Sequence, residues 1–166
     1  IQNPKEIINE SFDYLLSNNF NPNSLTPEKK FIVYSDDCLE ITQAVEPIET
    51  SSDHDEFSLM LTELLEPLNQ SDKIRTKFKT FNVELNDNEL TEAITLLEIV
   101  GENNNNIISI KSTWKCYWEW TEQSKILKLH KITPINYQLS SSKKIENQNL
   151  FSDCTESIFE GVKDFK

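Results

Sequence analysis

The tryptophans offer the first candidate chemistry. Trp114, Trp118 and Trp120 share their parity with Cys116 in the run IISIKSTWKCYWEW at 107–120, so an extended strand carries all four side chains on one face. A row of rings like this lines a ligand pocket, stacks on sugar rings, or fills a core. Burial against an apolar helix explains it by area alone, at about 2–3 kcal/mol per ring. The expectation is that Trp114 and Cys116 are core and that Trp118 or Trp120 lies near an open end, which makes Trp114, Trp118 and Trp120 the candidate ligand-pocket residues. Cys38, Cys116 and Cys154 form no CxxC pair and share no ligand spacing with His54 and His130, so no metal site is expected. An odd cysteine count leaves at least one free thiol. Cys116 has no histidine or helix N-terminus nearby in sequence to generate a thiolate. Asp53, His54, Asp55 and Glu56 are cation-ligand types, but they are contiguous at a helix start and lack the glycine turn of a calcium loop. His130 falls on a strand that points Leu127 and Leu129 inward and Lys128 and His130 outward.

Composition narrows the partners. The 166 residues allow one domain with a real core. The net charge of −12 rules against phosphate neutralisation, so no nucleic-acid partner is expected. No apolar run reaches the length of a membrane span, and two glycines are too few for phosphate-cradling loops, so no cofactor is implied. The charge is lopsided: residues 1–72 hold 3 lysines against 15 acids, whereas residues 73–166 are balanced at 13 of each sign. The acidic segment reads as solvated helix surface or as a face for a basic partner.

Positioning elements follow from periodicity. Asn3-Pro4 with Glu6 predicts a helix over 4–18, with Ile8, Phe12, Leu15 and Leu16 on its apolar face. Thr26-Pro27-Glu28 predicts a short second helix, and residues 31–48 mix a strand-like FIVYS with CLEITQAV. Phe57, Met60, Leu61, Leu64, Leu65 and Leu68 form the clearest helical stripe, ending near Pro67. From Lys77 the period drops to two: strands are predicted over 77–85, 92–100, 107–120 and 125–133, the last ending at Pro134. The fold class expected is α+β, a curved antiparallel sheet with N-terminal helices packed on its concave face, cone-shaped. Residues 1–139 form the domain, and 140–166 read as a serine-rich linker followed by the start of another segment.

The order of elements and the strings at 107–120 and at 77–85 (KFKTFNVEL) resemble SnoaL-like, nuclear-transport-factor-2-like domains, and LFSDCTESIFEG at 150–161 is similar to the F-x-D-x-T string that opens the propeller-associated part of proteins carrying them. The likeness is to the domains at the N-terminus of bacterial FG-GAP/VCBS-repeat proteins of the cartilage-acidic-protein type. The resemblance implies a secreted or cell-envelope multidomain protein with repeats downstream. The steroid-isomerase branch of that fold uses a helix tyrosine as oxyanion donor and a later aspartate as base. Carried onto this chain, the pair is Tyr14 with Asp36 or Asp37, Asp37 being the candidate retained. Amphipathic core filler and a solvated turn are the plain readings of the same residues. The function expected is a non-catalytic accessory or binding domain, forming a homodimer through the sheet or binding a small ligand or protein. The alternative is a small-molecule lyase or isomerase with a pocket under the sheet.

Overall fold

The computed structural model describes residues 14–21, 24–45, 57–85, 90–122 and 125–144. Long β-strands dominate. In chain order they are β1 (Leu16–Asn21), β2 (Phe31–Ser35) and β3 (Leu39–Val45), then helix α1 (Phe57–Leu65) and a 3₁₀ turn (Glu66–Leu68). The meander β4 (Lys73–Leu85), β5 (Thr91–Glu102), β6 (Asn106–Thr121) and β7 (Ile126–Lys143) follows. The sheet runs β2-β3-β7-β6-β5-β4, with β1 added to β7 in parallel. The 18-residue β7 is the spine: its first half takes β1 (Leu16 opposite Leu129) and its second half takes β3 (Val45 to Leu39 opposite Asn136 to Ser142).

This corrects the expected fold class. Among the described residues α1 is the single α-helix, so the molecule is sheet-dominated rather than α+β with N-terminal helices on the sheet. Leu16–Asn18, expected at the end of a first helix, are strand, because β7 offers them backbone partners: the Leu129 amide donates to the Leu15 carbonyl at 2.8 Å. Tertiary pairing overrides local pattern here. Thr26–Glu28 form no helix. The rest of the first predicted helix (4–13), the acidic cap at 52–56 and the segment 150–161 lie outside the described residues.

The core is set by parity. On the inner face, register rows place Ile99 beside Ile110 and Leu139, Leu97 beside Ser112 and Tyr137, Thr95 beside Trp114, and Ala93 beside Cys116 and Ile132. Phe57, Met60, Leu64 and Leu68 pack onto these rows, with Leu25 fully enclosed. On the outer face Ile94, Leu96 and Val100 are half-buried among cross-strand ion pairs, Lys111 with Glu98 (3.2 Å) and Lys115 with Glu92 (3.1 Å).

β7 passes through Pro134 instead of stopping there. Thr113 pairs with Asn136 and Trp114 with Pro134, so a bulge absorbs one residue, and Pro134 falls between the β1 and β3 partners. On that edge no partner strand needs the missing amide hydrogen. The strand then continues through Ser140–Lys143, the residues read as a linker from sequence.

Candidate functional site

Two features of β7 assemble a polar cleft at its N-terminal end. Parallel addition of β1 runs Ser17, Asn18 and Asn19 along residues 129–131, and the β6–β7 hairpin projects past the last β5 pair at Thr91 and Trp118. The resulting cleft, about 480 Å³, is lined by Ser17, Asn18, Asn19, Glu119, Trp120, Thr121, Glu122 and Lys128. That volume lies within the range of small-molecule sites.

His130 borders it through a second bulge. Tyr117 pairs with Lys131 and Trp118 with Leu129, leaving His130 as the extra residue. Bulges re-aim side chains in this way. Its Nδ1 lies 3.5 Å from the Ser17 hydroxyl and 3.8 Å from a Glu119 carboxylate oxygen. A nucleophilic triad needs the serine on one ring nitrogen and the acid on the other, so the histidine can pass a proton between them. Here both partners meet Nδ1, so the set is not arranged as a triad; it joins β1, β6 and β7.

The tryptophans separate along β6. Trp114 is buried, with the Phe78 ring edge-on at 6.2 Å. Trp118 is half-buried and packs against the core. Trp120 is 50% exposed and lines the cleft. Cys116 is buried, and desolvation pushes its thiol up to about 11 against a smaller opposing hydrogen bond with Thr95, so it stays protonated.

The acid–base pair suggested by the resemblance is not brought together. Tyr14 is exposed in the turn before β1. Leu16, two residues beyond it, pairs with Leu129, whereas Leu39, two residues beyond Asp37, pairs with Ser142. Thirteen positions of β7 separate those partners, about 40 Å of extended strand. Asp36 pins the β2–β3 turn instead, accepting from the Cys38 and Leu39 amides (both 2.7 Å) and from the Tyr34 hydroxyl (2.6 Å). The Tyr34 bond first, then the two amides, hold its carboxyl below the ordinary range. A carboxylate so engaged is a poor base. Asp37 is exposed in the same turn.

A second cleft, about 400 Å³, lies between α1 and the sheet, lined by Thr26, Lys30, Leu59, Thr62, Glu63, Glu66, Pro67 and Tyr137. Lys30 occupies its aromatic wall, its ammonium 5.3 Å from the Tyr137 ring centroid. Burial chiefly, and Glu63 secondarily, raise the Tyr137 phenol to about 12.

Among the described residues no three His, Cys, Asp or Glu side chains converge as a metal site, and no helix is long and apolar enough to cross a membrane. His54 and its acidic neighbours, and Cys154, lie outside the described residues. The polar set at Ser17, Asn18, Asn19 and Glu119 was invisible in sequence, because nothing in LSNNFN announces a parallel strand beside β7. No family model, curated protein or solved structure matches this chain.

Proposed function

We propose that this chain is a non-catalytic binding domain whose ligand is a neutral carbohydrate held in the Trp120 cleft, and that it self-associates through its sheet. The observation that carries the ligand class is a half-exposed indole lining the same cleft as two asparagines, two glutamates and a lysine. A sugar ring presents polarised C–H groups on one face and hydroxyls around its rim. The π face of an indole attracts the first, and amides, carboxylates and ammonium groups hydrogen-bond the second. The separation of Tyr14 from Asp37 and the shared nitrogen of His130 favour binding over turnover. The setting proposed is a secreted or cell-envelope multidomain protein carrying FG-GAP repeats. It rests on the strings at 77–85, 107–120 and 150–161.

Tryptophan fluorescence and calorimetry with soluble oligosaccharides of glucose, galactose and N-acetylglucosamine test the ligand. At least one should shift the emission and bind, and Trp120→Ala should abolish both while leaving the thermal midpoint unchanged. Silence across the whole panel, or binding that survives Trp120→Ala, refutes the carbohydrate reading.

A further inference from the structure

The two outer strands of the sheet are protected unequally. β4 carries Lys73, Arg75, Lys77 and Lys79 on alternate positions and a bulge at Asn82, where φ is 58°. The row of like charges is a usual means by which an edge refuses another strand. β2 carries no charge within Phe31–Ser35, yet Phe31 (66%), Ile32 (64%), Val33 (53%) and Tyr34 (48%) are all exposed. Four consecutive large apolar side chains exposed at a sheet edge need a cover.

The flanking residues specify which cover. The segment from Lys29 to Asp37 reads Lys-Lys-Phe-Ile-Val-Tyr-Ser-Asp-Asp, with its two cations at one end and its two anions at the other. Placed antiparallel against itself about Val33, Lys30 comes opposite Asp36 and Lys29 opposite Asp37, once on each side of the two-fold. A parallel arrangement would set lysines against lysines. This nine-residue segment is neutral within a chain of net charge −12, so copies meet there without the repulsion of the acidic surface. β2 also has a bulge, Ile32 pairing with Thr42 and Tyr34 with Ile41, which leaves Val33 as the extra residue. A continuous hydrogen-bonded ladder is therefore interrupted at its centre, and apolar packing with end charges carries the contact.

We propose that a second copy of this chain packs antiparallel along β2, with Val33 at the two-fold and each Lys29-Lys30 pair opposite the other copy's Asp36-Asp37. The proposal rests on the self-association named above and assigns its surface and register. An isologous contact of this kind closes at two copies and does not propagate.

Sedimentation equilibrium over a concentration series tests it, with far-UV circular dichroism confirming that each variant folds. The native chain should show a monomer–dimer equilibrium. Lys29→Glu and Asp37→Lys each convert two attractive pairs into repulsive ones and should weaken dimerisation by about tenfold. Their equimolar mixture restores both pairs and should dimerise like the native chain. Val33→Lys should give monomers. A mixture no tighter than either variant alone overturns the register, and a dimer that survives Val33→Lys overturns the β2 surface while self-association stands. A native chain that stays monomeric at every concentration overturns both.

Discussion

Gly101 on β5 lies directly under Leu68 of the 3₁₀ turn. A Cβ atom there would sit 2.7 Å from Leu68 Cδ2 and 2.9 Å from Ser71 Cβ, and closer still to Ser71 Oγ. The turn that ends α1 is seated on the sheet by this absence of a side chain, and the Asp72 amide then bonds the Glu102 carbonyl at 2.8 Å to start β4. Leu68 is 2% exposed in the core, so it cannot move aside freely. Gly101→Ala should cost about 1–3 kcal/mol through overpacking. In urea this reads as a lower midpoint at unchanged slope. A midpoint equal to the native one would show that the turn yields easily.

Leu64 and Leu59 lie on opposite sides of α1. Leu64 is 1% exposed in the core, whereas Leu59 is exposed beside the Tyr137 cleft. Leu64→Ala should destabilise the domain by about 2–5 kcal/mol, because transfer and cavity costs add. Leu59→Ala should change stability by no more than about 0.5 kcal/mol. Equal losses in urea unfolding would mean that the stripe is oriented differently.

How much of this was legible varies with the kind of information each residue carries. The α1 stripe from Phe57 and the alternation of β6 were readable because burial on one face imposes a period that survives in the sequence. The gap between the strands predicted over 92–100 and 107–120 shrinks to the turn at Asn103, whose side-chain oxygen accepts from the Asn105 and Asn106 amides. β1 was not readable. Leu16 belongs as well to the helical pattern of Ile8 and Phe12, and only the β7 backbone opposite it decides for a strand. Pro134 and Ser140–Lys143 misled for a related reason: whether a proline or a serine run ends a strand depends on which neighbouring groups need partners. The candidate cleft inherits that limit. Trp120 could be picked out by type and parity, but Ser17, Asn18 and Asn19 join it through a non-local pairing.

Cys116 and Tyr137 predict an alkaline limit to stability. Burial raises the thiol to about 11 and the phenol to about 12. The unfolded chain titrates these groups near their ordinary values, about 8.5 and about 10. In both cases folding favours the neutral, protonated form. Their stabilising contribution is therefore complete below the unfolded values and is lost as pH rises through the folded ones. Unfolding free energy should be flat near neutrality, begin to fall above about pH 9, and fall more steeply above about pH 10 as the phenol joins. Cys116→Ala should remove the earlier part of the decline and leave the later part. Cys38, which is half-buried rather than enclosed, should react with iodoacetamide in the folded protein well before Cys116 does. If urea titrations across this range show the same decline in Cys116→Ala as in the native chain, the thiol is not the group responsible. If Cys116 is alkylated as fast as Cys38 without unfolding, the packing of Thr95, Trp114 and Ile132 around it is looser than its burial implies.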